Sequence, residues 1–331
     1  MKLATLLEFR KSAIPDRLTR LNVEWVEGDA AIQVMAEQAI AQVQRVSSYV
    51  TRPAIRILEK YQFAAAGGWL AYGCTIDGER GAVPYVKPIN PRRELKNGNL
   101  KAIKYETPQG YEALPILPWV DTETTQQIYD RYQVEPLEGE SFWRCIWRCG
   151  VPLGVTEGLK KALAMTAHGL PTIALRGVAC WHPKGASELH NVLKEFATEG
   201  RSIHINFDQD EKTSTQIEVR RQILKLGEAL ESAGCKMFVQ AWESKLGKGI
   251  DDVLAAKGDD AQAWFDELIQ NAATLKSYRK CGRVAAALRA IERLNKLSYA
   301  VERETEGEYL PDLPELEQGK IHAVLATMNS G

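Results

Sequence analysis

The stretch Ser202-Ile203-His204-Ile205-Asn206-Phe207-Asp208-Gln209-Asp210 decides how the chain is read. It reads as a short buried strand that ends in two carboxylates. Side chains on a strand alternate faces, so Asp208 and Asp210 project together from the C-terminal end of a buried strand. In an open α/β sheet that rim is where ligands bind. Two like charges this close repel each other unless a cation or a proton sits between them. Hard divalent ions such as Mg²⁺ prefer carboxylate oxygen and often bring a phosphate with them. A lone Asp-x-Asp is also the ordinary solvated end of a strand, so its surroundings decide.

Outward from this stretch, apolar runs and helical patterns alternate. A strand over 151–156 leads to Glu157-Gly158, and a helix over 159–167 stops at Gly169. A strand over 172–175 leads to Arg176-Gly177, and a helix over roughly 186–198 follows. Beyond Asp210 come a helix over 215–233, stopped by Gly234, and a strand over 236–241. Gly247-Lys248-Gly249-Ile250-Asp251-Asp252 then opens a short helix that ends near Gly258. Strands separated by helices give parallel βαβ units, so the expected fold class is α/β with flanking helices. Glu157, Asp208, Asp210, Asp251 and Asp252 all follow strands. Acids gathered at one rim of a parallel sheet are costly unless they hold a metal ion.

At 331 residues the chain is long enough for two domains. Its net charge of −1 gives no global basic field, so any nucleic-acid binding must come from a local patch. Met1-Lys2-Leu3 leads into a stretch charged at Glu8, Arg10 and Lys11, which is no signal peptide. No apolar run is long enough to span a bilayer, and a cytoplasmic protein without a membrane partner is expected. The cysteines Cys74, Cys145, Cys149, Cys180, Cys235 and Cys281 are scattered, without zinc-finger spacing. They read as buried free thiols of a reducing compartment.

Residues 1–45 read as helical, with Asp29 capping a helix that begins at Ala30, and residues 52–61 as a helix with Pro53 early. This part reads as packing without chemistry. From Gly67 to Trp119 the character is antiparallel β, with Asp77-Gly78 as the hairpin signal. A basic segment follows: Arg80, Lys87, Arg92, Arg93, Lys96, Lys101 and Lys104, with Tyr85 and Tyr105 interleaved. Such a mixture suits a single-stranded nucleic acid, because charge tracks phosphates and rings stack on bases. It reads equally as a solvated loop, since Asn97-Gly98-Asn99 is turn material. Residues 121–132 read as a helix, and Trp143 and Trp147 share one helical face and read as core. Residues 259–305 read as helical, basic in the middle at Lys276, Arg279, Lys280, Arg283 and Arg289.

The pattern from Glu157 to Asp252 resembles a Toprim domain, the catalytic unit shared by bacterial-type primases, topoisomerases and some nucleases. Its marks are a Glu after the first strand (Val155-Thr156-Glu157-Gly158) and an Asp-x-Asp after a later one (Phe207-Asp208-Gln209-Asp210). Thr156-Glu157-Gly158-Leu159-Lys160-Lys161-Ala162, Leu175-Arg176-Gly177-Val178 and Lys248-Gly249-Ile250-Asp251-Asp252 are similar to the Toprim part of cyanobacterial plasmid replication proteins. Ile103-Lys104-Tyr105-Glu106-Thr107-Pro108 resembles the Lys-Tyr element that faces the metals in bacterial-type primases. The zinc ribbon with which such primases usually begin is not matched. The end, Ile321 to Gly331, looks like a Walker A loop cut before its Lys-Ser/Thr, and implies a helicase-like ATPase domain beyond it.

The resemblance implies a division into an N-terminal helical segment (1–45), a primase-like subdomain (46–150), a Toprim domain (151–260), a helical segment (261–305) and a linker with the start of an ATPase domain (306–331). It implies Mg²⁺-dependent, template-directed primer synthesis in plasmid replication, with single-stranded DNA and nucleoside triphosphates as partners and Mn²⁺ as a substitute metal. Glu157, Asp208, Asp210 and Asp251 would hold metal, Glu157 serving either as ligand or as general base. Lys160, Lys161 and Lys248 would meet phosphate, and Lys87, Arg92, Arg93, Lys101, Lys104 and Tyr105 would meet nucleic acid. The rival readings are a Toprim nuclease, with water as nucleophile, and a non-catalytic DNA-binding module of a replication helicase.

Overall fold

The chain opens with two short helices, α1 (Leu3–Arg10) and α2 (Asp16–Asn22), a strand β1 (Glu24–Val26), and the longer helix α3 (Gly28–Val43). The strand corrects the reading of residues 1–45 as wholly helical. Trp25 pairs with Trp69 and Glu24 with Leu70, a contact distant in sequence that no local periodicity reports. Helix α4 (Arg52–Lys60) starts at Thr51, whose hydroxyl accepts from Ala54 N, and carries Pro53 where a missing N–H costs nothing. Strands β2 (Gly68–Ala71) and β3 (Tyr85–Pro88) complete an antiparallel sheet in the order β1-β2-β3. Ile32, Met35, Ile57 and Tyr61 pack against Leu70 and Val86 in one core. The computed structural model describes residues 1–44, 51–96 and 98–281, the side chain of Lys96 excepted.

The basic segment is a hairpin, β4 (Arg93–Lys96) and β5 (Asn99–Ala102), with Gly98 at its turn. Helices α5 (Thr122–Tyr132) and α6 (Phe142–Arg148) follow, each capped by a side-chain oxygen, of Asp121 and Ser141 respectively. Trp143 is buried, as expected. Trp147 is half-buried and donates its indole N–H to Glu195 O.

The second half forms a five-stranded sheet. Its strands are β6 (Leu153–Glu157), β7 (Thr172–Leu175), β8 (Ser202–Asn206), β9 (Lys236–Val239) and β10 (Ala273–Thr274), in the order β10-β9-β8-β6-β7. The first four are parallel and β10 is antiparallel to β9. The helices are α7 (Leu159–Ala167), α8 (Asn191–Phe196), α9 (Thr213–Ser232), α10 (Ile250–Lys257) and α11 (Ala261–Gln270). The chain goes from β6 outward to β7, then returns past β6 to β8 and on to β9. Because crossovers are right-handed, this reversal puts α7 on one face and α9 on the other. Helix α10 packs against α7 and α11. Leu159, Leu163, Ile250, Leu254 and Phe265 share a core with Phe9, Leu18, Trp69 and Tyr85, so the N-terminal elements pack on the α7 side.

Two expected helices are shorter. The one read over 186–198 is only α8, preceded by an irregular segment with Pro183 and Gly185 that His190 N→Trp181 O and Trp181 Nε1→Gln222 Oε1 pin in place. The one read from 261 to 304 breaks after Gln270, where β10 pairs with β9. Its remainder beyond 281, Arg283 and Arg289, the linker and the loop-like end lie outside the described residues. Residues 1–275 form one compact unit and 276–331 a second. The six cysteines are free; Cys281 is exposed rather than buried as expected.

Candidate functional site

The reversal of strand order falls between β6 and β8. That is the switch point of an open α/β sheet, where the loops leaving two neighbouring strands diverge and leave a crevice. Glu157 ends β6 and Asp208 follows β8, so both stand at the crevice mouth. Gly158 turns the chain from β6 into α7 with φ +91°, a conformation that a Cβ disfavours. This brings Lys161, one turn into α7, back over the rim. Its ammonium lies 2.8 Å from Asp208 Oδ1 and donates to Glu157 O at 3.2 Å. Asp208 Oδ1 is buried, with the Lys161 ammonium as its counter-charge.

Burial lifts the Glu157 carboxyl above its ordinary range and nearby Asp208 lifts it further, against Lys161 and Lys248. Burial opposes the charge of Lys161, yet Asp208, Asp251 and Glu157 outweigh it and raise its pKa. Lys161 is thus the shared counter-ion of three carboxylates. Gly249 makes room for it: a Cβ there would lie 2.8 Å from Lys161 Cε and 2.5 Å from Asp251 Oδ1.

The remaining expected ligands stand apart. Asp210 pairs with Lys248 at 2.5 Å, accepts from Lys212 N, and its pKa is lowered first by the Lys248 contact. Asp251, in the first turn of α10, is buried; its Oδ2 is 3.8 Å from Lys160 Nζ, and burial raises its pKa. The 208–210 and 247–249 loops are tied by Gln209 N→Lys248 O at 2.9 Å. Among the described residues no three His, Cys, Asp or Glu side chains come together as a ready metal cage. Mg²⁺ does not require one, because it commonly takes one or two carboxylates and completes its shell with water and substrate phosphates. Glu157 and Asp208, whose charges are close enough to raise the Glu157 pKa, fit that mode.

Residues 142–261 match the family model of a domain of unknown function, DUF3854. An uncharacterized protein of Picosynechococcus sp. is 29% identical over 265 residues, which cover 72% of this chain and 26% of that protein. The chain therefore spans about a quarter of the length of that curated relative. The zinc-binding and RNA polymerase domains of the Aquifex aeolicus primase superpose with a TM-score of 0.47 at 12% identity, over 100% of this chain and 68% of that one. The stretch that matches DUF3854 contains the whole acid and lysine cluster, from Glu157 to Asp252.

Across the cluster stands the N-terminal sheet, linked through a residue that sequence reading passed over as packing. Glu8, on α1, accepts from Lys87 at 2.7 Å and lies 4.0 Å from Lys160. Tyr105 stacks on Tyr85 at 5.2 Å and against Trp69 at 5.8 Å, with Lys87 over its ring. Burial, then the charges of Glu8 and Asp251, raise the Tyr105 pKa, so its hydroxyl stays protonated. Of the other residues expected to meet nucleic acid, Arg92 is committed to Glu94 and Glu106. Arg93, Lys101 and Lys104 are exposed and make no ion pair among the described residues.

Arg176 holds the two halves together. Its guanidinium donates to Leu114 O, Pro84 O, Val83 O and Thr107 Oγ1. Burial pulls its pKa down to about 10, the cost of seating a cation among neutral acceptors. Sequence reading saw this arginine only as part of a motif; its role rests on carbonyls, which no side-chain pattern reports.

Proposed function

We propose that the chain is the catalytic part of a primase-type nucleotidyltransferase of Toprim kind, which joins nucleoside triphosphates on a single-stranded DNA template during plasmid replication. One observation carries the reading: Glu157, Asp208 and Lys161 converge at the switch-point crevice, opposite a basic, aromatic N-terminal layer. Phosphoryl transfer needs both a carboxylate-held divalent ion and nearby cations for the phosphate oxygens.

Bound Mg²⁺ would lower the pKa of the attacking 3′-hydroxyl and offset charge on the triphosphate. Glu157 and Asp208 would hold it. In the alternative role, with Asp208 alone on the ion, Glu157 would be the general base for the hydroxyl proton. Lys161 and Lys248, released from their carboxylates, would take phosphate oxygens, and the N-terminus of α7 adds backbone N–H donors. Arg93, Lys101 and Lys104 would track the template, and a helicase domain would follow in the full-length protein.

The test is incubation with single-stranded DNA, labelled nucleotides and Mg²⁺. New products that need template, and disappear in Asp208→Asn, support the reading. Shortened template assigns the same acids to a nuclease. Neither product, with DNA binding retained, leaves only a binding module.

A further inference from the structure

A row of buried polar groups lies directly beneath the acid rim. Thr156 on β6 and Asn206 on β8 are partners in the parallel register, and Asn206 Nδ2 donates to Gln240 Oε1 at 3.0 Å, one residue past β9. All three are essentially inaccessible. A Cβ on Gly154 would touch Met165 of α7, so Gly154, and Thr156 two residues on, face the α7 side. Asn206 and Gln240 share that face by register. Asp208, two residues after Asn206, meets Lys161 of α7 there.

Buried strands of a parallel sheet are ordinarily apolar on both faces. Here Thr156 Oγ1, Asn206 Oδ1 and Gln240 Nε2 are buried without a hydrogen-bond partner among the described residues, and the buried Asp208 Oδ1 has the Lys161 ammonium on one side. Leaving a buried polar group unpaired is unfavourable, and an apolar side chain of the same shape would avoid that cost. The group inventory indicates what satisfies them. A cation suits the acceptors but not the amide donor of Gln240. Water, with two donors and two acceptors, suits all four.

We propose that Thr156, Asn206 and Gln240 form a shelf that seats ordered water, and that this water hydrogen-bonds Asp208 Oδ1 and fixes the direction in which the carboxylate faces the crevice. The three are positioning residues for Asp208. The water site stands on its own; its effect on a divalent ion rests on the function proposed above.

The experiment compares Thr156→Val with Thr156→Ser. Valine keeps the shape and removes the hydroxyl. Serine keeps the hydroxyl and removes a methyl, so it should be the less stable variant. Mn²⁺ affinity, measured by calorimetry or electron paramagnetic resonance, should rank the other way: Ser near wild type, Val about tenfold weaker, the usual loss when an outer partner of a metal ligand is removed. A crystal structure of the wild type should show water bonded to Thr156 Oγ1 and Asp208 Oδ1. Equal Mn²⁺ affinity in Val, Ser and wild type overturns the positioning role. A dry shelf in the crystal overturns the proposal altogether. If wild type binds no Mn²⁺, the metal reading falls, and the shelf is decided by the crystal alone: water there upholds it.

Discussion

Replacing Lys161 with Met keeps the packed stem and deletes the ammonium that neutralises Asp208, Glu157 and Asp251. Breaking a buried ion pair by removing one partner costs about 3–5 kcal/mol, because the other charge is left uncompensated. The Lys161 and Asp208 side chains are 18% and 17% exposed, so some solvent reaches them and the lower figure, about 3 kcal/mol, is expected. A divalent cation can take over the lost charge. At a concentration about 100 times its Kd it should return about 2.7 kcal/mol, nearly the whole loss. In wild type the same cation must first displace the ammonium, so its stabilising effect should be smaller. Urea denaturation of wild type and Lys161→Met, each with and without Mn²⁺, measures all four numbers. If Lys161→Met is as stable as wild type, or if Mn²⁺ stabilises both equally, Lys161 is not the shared counter-ion and the electrostatic account of the crevice is wrong.

Other predictions follow from the same geometry. The His204 ring, stacked on Phe238, has its pKa pushed down to about 4 by burial. Its folded pKa is below the unfolded one, so its contribution is complete above about pH 6.5 and is lost as pH falls toward 4. That loss is about 2.5 kcal/mol by pH 4.5, and His204→Phe should remove it from the pH dependence of the urea midpoint. Gly249→Ala should cost about 1–3 kcal/mol, since the added Cβ would press on Lys161 Cε and the buried Asp251 carboxylate, and should enlarge the Mn²⁺ stabilisation by pushing Lys161 off Asp208. Lys101→Gln and Lys104→Gln should each lower the slope of log K against log salt for single-stranded DNA by about 0.7, without altering affinity for nucleotide; an unchanged slope takes the hairpin out of the template path.

The alternation of strands and helices from Leu153 onward was legible because short stretches rich in Val, Ile, Leu and Phe alternate with longer helical patterns, several of them stopped by a Gly. The position of Glu157 and Asp208 at strand ends on one rim followed from that alternation. Strand order did not, since it depends on which edge each crossover returns to, and the order puts the two acids at the switch point. Thr156 and Asn206 passed as ordinary strand residues, although a polar side chain at a doubly buried position is itself a signal. Glu8 passed as helix surface. Only folding brings it between Lys87 and Lys160. Irregular segments held by carbonyl acceptors, such as the one around Trp181, leave almost no trace in side-chain periodicity.

The large sheet offers little open margin: β10, its outermost strand on one side, is only Ala273–Thr274. On one side β10 runs against β9, and on the other Ile116 exchanges two backbone hydrogen bonds with Ala174 of β7, at 2.8 and 3.0 Å. A free margin is a template for another chain to zip onto, by design or by accident. With β10 so short and β7 paired at Ala174, a second protein has little backbone to add a strand to. Association with other proteins would then proceed through helix surfaces and side chains, and a crowded or partly unfolded pool of this protein should resist sheet-to-sheet aggregation for as long as these two short pairings hold.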